Sequence, residues 1–196
     1  DVGAALYTVA QPLLDASASN VLFTRTEKSL KEYKNDRMLI LPALLNCARA
    51  HVLQAENVAA TCESHFGYDE LFTFCDAEGG KPRLFHYMRT LKAEAAAPFN
   101  ENSFCFYVFQ KIFWSAQNNN NNKRVSAILR EIPDEFSKQL SQFLDSNTTN
   151  NNNKAKWIHA IRRGEFEKAS KSLEEDDGLR YEAKIASILA LRSSSQ

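Results

Sequence analysis

The chain has 196 residues, enough for one domain or two small ones, and its 24 basic residues balance 24 acidic ones to a formal net charge of zero. That balance argues against a dedicated binder of nucleic acid or anionic membrane, which needs an excess of Lys and Arg. With 44% hydrophobic residues the chain can bury a core. With only six Gly and five Pro it lacks the turn residues that all-β folds need, so composition favours long helices with short connections.

Apolar residues recur at spacings of three and four along the chain. Thr24-x-x-Glu27 has capping-box spacing and is read as opening a short polar helix from Ser29 to Lys34. Asp36 is then placed to cap a second helix, whose apolar stripe runs through Met38, Leu41, Leu44, Leu45, Ala48, Val52 and Leu53. Pro42 lies inside that stripe and should kink it or mark its true start. Asn57 is a plausible N-cap for Val58–Phe66, with Gly67 as its stop. Tyr68, Leu71, Phe72 and Cys75 continue the pattern to Gly79-Gly80. Pro82 opens the next helix, with Leu84, Phe85, Tyr87, Met88 and Leu91, and Pro98 ends that unit.

Phe104 to Trp114 is the most hydrophobic stretch and could be a buried strand; helices on both sides favour a helix buried on most sides. Val125 to Ile132 reads as a short helix ending before Pro133, and Asp134 as the cap of one carrying Phe136, Leu140, Phe143 and Leu144. Trp157, Ile158 and Ile161 precede Gly164; Phe166, Ala169, Ser170 and Leu173 follow it. After Gly178 a last helix carries Tyr181, Ile185, Ile188 and Leu189. The expected fold is all-α: about nine to eleven helices joined by short turns, forming an irregular stack of antiparallel helical hairpins over residues 1–196. The runs Asn118–Asn122 and Asn150–Asn153 are expected to be low-complexity loops, either natural insertions or substitutes for unidentified residues.

No run of about 18 apolar residues is present, so neither a membrane span nor a signal peptide is expected within this sequence. The sequence opens on Asp1 rather than Met and is read as a piece of something longer. Cys47, Cys62, Cys75 and Cys105 form no CxxC pair and sit among Leu, Phe and Ala, as buried, reduced thiols of an intracellular protein would.

Chemistry has few footholds. Cys62-x-x-His65, with Cys75 and His86, is the best metal candidate, but no second local pair completes four-coordination, so no metal is expected. His51, His65, His86 and His159 neighbour no nucleophile elbow and no HExxH pair. Gly79-Gly80-Lys81 lacks the leading glycine and the following Ser or Thr of a phosphate loop. No catalytic residue and no cofactor is expected. Lys28, Lys31, Lys34 and Arg37 could line one helix face and touch phosphate; interleaved with Glu27, Glu32 and Asp36, they read better as a solvated surface. Glu174-Glu175-Asp176-Asp177 marks a solvated turn, since the alternating ligand spacing of a calcium loop is missing. The aromatics, thirteen Phe, six Tyr and two Trp, are expected in the core or on the open end faces of the stack, where a partner would cover them.

A structural seam is expected around Gly164, whose tolerance of positive φ lets the chain reverse between Arg163 and Glu165. Trp157, Ile158 and Ile161 would face Phe166, Ala169 and Leu173 across it, with the small Ala169 admitting Trp157.

These strings carry a resemblance. Trp157-Ile158-His159-Ala160-Ile161, then Gly164-Glu165-Phe166-Glu167-Lys168-Ala169, then Leu173, Arg180-Tyr181-Glu182-Ala183-Lys184 and Ile188-Leu189-Ala190-Leu191 follow in order. Upstream stand Arg83-Leu84-Phe85-x-Tyr87-Met88 and the Phe-rich Phe104–Trp114. Over about residues 80–192 the chain resembles the helical region of the hundred-and-thirty-three-kilodalton scaffold nucleoporins of the nuclear pore, departing from them in the Asn runs and at Ala183. The resemblance implies a non-catalytic scaffold of the Y-shaped outer-ring complex, located at the nuclear envelope and serving nuclear pore assembly and nucleocytoplasmic transport. Its partners would be other scaffold nucleoporins, with no nucleic acid. The family's membrane-sensing loop lies in a β-propeller and its main docking module at the extreme C-terminus, so neither is expected within this sequence. The alternative reading is a helical-repeat peptide-binding adaptor of another cytoplasmic or coat complex, which would need a concave groove with polar clamps.

Overall fold

The computed structural model describes residues 2–75, 80–93, 97, 99, 102–118, 131–146, 150–174 and 180–193. Among them all regular structure is helical. The helices are α1 (Val2–Thr24), α2 (Glu27–Arg49), α3 (Ala55–Ser64), α4 (Tyr68–Cys75), α5 (Lys81–Thr90), α6 (Phe104–Asn118), α7 (Ser137–Ser146), α8 (Asn150–Arg162), α9 (Phe166–Glu174) and α10 (Arg180–Ser193), with a 3₁₀ turn at Asp134–Phe136. The all-α class and the packing of successive helices against each other match the expectation. Contacts group the chain into two units, residues 1–107 and 108–196, where a single stack was expected.

In the first unit α1 and α2 pack as an antiparallel hairpin: Val21 meets Tyr33 in one apolar cluster, and one turn deeper Ser17 Oγ donates to Asp36 at 2.8 Å. Asp36 is therefore not a cap. The polar segment at 29–34 and the stripe beyond Asp36 are one helix, because Tyr33, Leu41, Leu44, Leu45 and Ala48 form a continuous buried face that α1, α3 and α4 cover. Its cap is Thr26, whose side chain accepts from the Ser29 amide at 3.2 Å. Pro42 lies inside the helix and does not mark its start. α3 begins at Ala55, earlier than an Asn57 cap would allow, with Gln54 in the N-cap position. Leu14, Tyr33, Leu41, Leu44, Val58 and Leu71 are completely or almost completely buried at the centre of this unit.

The helix ends repeat one device. After α3, Phe66 takes φ +53°, its amide donates to Glu63 O and the Gly67 amide to Cys62 O at 2.7 Å. This is the Schellman arrangement with Phe66, not Gly67, in the left-handed position. Gly67 is small for another reason: a Cβ there would stand 2.5 Å from Leu41 Cδ1. α2 ends the same way with His51 at φ +58° and Val52 donating to Cys47 O. α8 ends with Gly164 at φ +73° and Glu165 donating to Ala160 O at 2.9 Å.

In the second unit the 3₁₀ turn follows Pro133 and leads into α7, whose Leu140, Phe143 and Leu144 are buried. Phe109 and Phe113 of α6 both pack on Phe143, with ring centroids 5.6 Å away in each case. Asp134 pairs with Arg162 at 2.7 Å instead of capping a helix. α8, α9 and α10 succeed one another as hairpins. The Asn150–Asn153 run is not a loop: it forms the first turn of α8, where unpaired amides make Asn less unfavourable than mid-helix. Among the described side chains of α10, Ala183 and Ala186 are buried while Ile185 and Ile188 are exposed; large side chains at the contact would hold α10 away from α9. Pro98, Gly79, Gly178, Asn119–Asn122, most of the Val125–Ile132 segment, and Glu175–Asp177 lie outside the described residues.

Candidate functional site

Around Gly164 the expected reversal is present, and its seam is narrower and more alanine-rich than the sequence suggested. Ala169 and Leu173 are fully buried and form one cluster with Ala160, Ala183 and Ala186, against which Trp157 packs. Ile158 and Phe166 are half-buried, and Ile161 is 37% exposed, turned out of the seam. The sequence reading missed Ala160, Ala183 and Ala186. Ser170 and Ser187 close the α9–α10 contact, their hydroxyls 2.6 Å apart. The Trp157 indole Nε1 is buried with no hydrogen-bond partner among the described residues.

Two histidines are buried polar centres. His65, 3% exposed, has Nδ1 3.2 Å from the Tyr33 hydroxyl and Nε2 3.2 Å from Asp15 Oδ1. The same hydroxyl donates to His65 O, and Arg37 donates to the carbonyls of His65 and Phe66 at 3.3 Å. Because the Tyr33 hydroxyl spends its proton on His65 O, it can only accept from Nδ1, so this imidazole, sealed between α1, α2 and the end of α3, is not the base of a hydroxyl nucleophile. What the arrangement achieves is to tie three helices and satisfy the open carbonyls at the α3 terminus. Burial pushes the Tyr33 phenol up to about 12 and lowers His65 below its usual value.

His159 Nε2 lies 3.0 Å from Ser141 Oγ, a Ser–His pair that the consecutive helices α7 and α8 bring together. The hydroxyl donates to Ser137 O and accepts from Arg163 Nη1 at 3.0 Å. With its single proton so used, Ser141 can only accept from His159, so the imidazole is a donor and not the base of a nucleophile. Burial, reinforced by Arg163, lowers His159 as well.

The residues weighed as a metal site do not converge. Cys62 and His65 leave α3 together, but His65 is committed to Tyr33 and Asp15, and desolvation pushes the Cys62 thiol up to about 12. Cys75 is pushed up to about 11 by burial and Cys105 to about 12. Such thiols stay protonated and are poor ligands and nucleophiles. His86 is exposed on α5. Among the described residues no group of three or more His, Cys, Asp or Glu is placed to hold a metal ion. The Lys28, Lys31, Lys34, Arg37 series drifts around the helix rather than lining one face: Lys28 pairs outward with Glu32, while Arg37 turns in to the α3 carbonyls.

The accessible features are clefts and apolar faces. An open groove of about 310 Å³ has Ala59 and Ala60 between Glu56, Glu63, Arg83, His86 and Tyr87. A smaller cleft of about 130 Å³ opens where α3 meets α4. α1 is the most unusual surface. Its 23 residues contain one charged side chain, Asp15, and that one faces His65. Leu6, Val9 and Leu13 share an exposed face, followed by Leu22 and by Phe23, which is 91% exposed. Ile185 and Ile188 give α10 an exposed apolar edge of its own. Among the described residues no helix is long and apolar enough to cross a membrane.

Comparison with known proteins returns no match: no family model, no curated protein and no solved structure is significantly similar to this chain.

Proposed function

We propose that this chain is a non-catalytic scaffold segment that works by holding other proteins, and specifically that it belongs to the outer-ring scaffold of the nuclear pore at the nuclear envelope. The observation that carries the reading is α1: a 23-residue helix that exposes Leu6, Val9 and Leu13 and whose single charge, Asp15, is set against His65. A helix left to water carries charged residues on its outer face, and a contiguous apolar one marks a contact. The buried ionisable groups support the same reading, since His65 and His159 are engaged in joining helices. The motif order from Arg83 to Leu191 points to scaffold nucleoporins as partners, and hence to a part in nuclear transport of protein and mRNA. The open groove beside Glu56 and Glu63 favours a second reading, a peptide-binding adaptor of a cytoplasmic or coat complex.

Affinity purification of the tagged chain from nuclear-envelope extract tests this. Outer-ring components should co-purify with the unaltered protein and be lost from the Leu6→Glu, Leu13→Glu double variant, whose melting should be unchanged. Recovery of vesicle-coat proteins, or of outer-ring components with both proteins alike, would overturn it.

A further inference from the structure

We infer that the cleft between the end of α3 and the start of α4 is a binding site for a small methylated ammonium ion. Three aromatic rings line it, Phe66, Tyr68 and Tyr107, together with the carboxylates of Asp69 and Glu70 and the guanidinium of Arg37. The rings are set as walls rather than as a stack. Phe66 and Tyr68 stand at 81° with centroids 6.5 Å apart, and Tyr68 and Tyr107 at 56° and 5.5 Å. At about 130 Å³ the space is well below the roughly 300–1,000 Å³ of sites for drug-sized ligands, so it suits a head group and not a nucleotide.

Charge selects the sign of the ligand. Two carboxylates outnumber one guanidinium, and that guanidinium is engaged with the carbonyls of His65 and Phe66 and lies 5.9 Å over the Tyr33 ring. The Tyr107 hydroxyl donates to the Asp69 carboxylate, which fixes an aromatic wall beside a negative charge. Burial and Asp69 push that phenol far above its usual value, so the wall stays neutral and the donor stays in place. Aromatic walls also select the chemistry of the cation. A bare ammonium is strongly hydrated and would use the carboxylates of Asp69 and Glu70 while leaving three rings without a role. A methylated ammonium spreads its charge over apolar methyl groups, and aromatic cages are the recurring way to hold one.

Backbone geometry keeps the walls apart. Phe66 holds a left-handed φ of +53° that a bulky residue rarely adopts, and Gly67 is pressed against Leu41.

Titration of the isotope-labelled chain with choline, and with the uncharged isostere in which carbon replaces nitrogen, reads this directly by amide shifts. Choline should give saturable shifts at Gly67, Tyr68 and Tyr107, and the isostere should bind about tenfold more weakly or not at all. Asp69→Asn keeps an acceptor for Tyr107 and should weaken choline by about fivefold. Tyr107→Leu should abolish binding; if it does not fold, Asp69→Asn carries the test alone. N-acetyl-trimethyllysine amide and phosphocholine distinguish a protein source from a lipid head group, the tighter of the two naming it. Equal binding of choline and its isostere, shifts confined to other surfaces, or undiminished binding by folded Asp69→Asn would overturn the inference.

Discussion

Gly164 and Phe66 hold the same backbone position in the same helix-terminating motif, and only one of them is glycine. At Gly164 a Cβ would meet nothing within 4 Å, so the residue serves its φ of +73° and not its size. Gly164→Ala should therefore cost about 1 kcal/mol with no change in packing. The exposed His51, at φ +58°, offers the reverse experiment. His51→Gly should gain about 0.5 kcal/mol, the left-handed penalty less the entropy that glycine adds to the unfolded chain. Chemical denaturation of the two variants checks both signs.

Trp157 packs against the Ala169–Leu173 cluster while its indole N–H is buried without a partner among the described residues. Trp157→Ala should cost about 2–4 kcal/mol, toward the lower part of the range for large aromatics because the ring is only half-buried. Trp157→Phe should cost less than about 1 kcal/mol, since the lost area is offset by removing an unsatisfied donor. A normal melt for Trp157→Ala would show that the ring belongs to a partner contact and not to the seam.

Acid should weaken the fold first through its two buried histidines. His65 and His159 are both lowered from 6.5, first by burial, which penalises the imidazolium. The unfolded chain then binds protons first as pH falls, so stability is complete above about pH 7.5 and declines as pH passes below the unfolded value. The decline ends once pH drops below the folded values. Glu165, held low first by Lys168, adds its own loss only below 4.5. Melting temperature should fall between about pH 7 and pH 5, and the His65→Gln, His159→Gln double variant should flatten that slope. A wild-type slope equal to that of the double variant would refute the assignment.

Thr26 closes the open end of α2 through the Ser29 amide, and Ser29 itself is buried with its hydroxyl on Thr26 O. Thr26→Ala should cost about 1 kcal/mol, while Thr26→Asn should restore most of it, in thermal melts of both variants.

The helical class and the reversal at Gly164 were legible because they rest on local signals, 3.6-residue periodicity and a glycine at a helix stop. Boundaries were not, where a side chain answers to a distant helix. Asp36 reads as a cap until Ser17 is placed beside it. The sequence marks the last helix by Tyr181, Ile185, Ile188 and Leu189, whereas the buried positions include the small Ala183 and Ala186, which bulk does not signal. α1 gave no readable pattern: with one charge in 23 residues it lacks the polar contrast from which periodicity is read. The Ser141–His159 pair and the cleft beside Phe66 join residues that no sequence spacing links.

The division of the chain at residues 107 and 108 falls inside α6, and this constrains how it can be dissected. Phe104 lies edge-on to Tyr68 in the first unit, while Phe109 and Phe113 lie on Phe143 in the second. A cut at the boundary would leave the first piece a single helical turn, too short to nucleate on its own. A cut after Asn118 would strip the second piece of two rings that Phe143 packs against. A genetic crossover within α6 would meet the same obstacle, since each unit draws its packing rings from its own stretch of that helix.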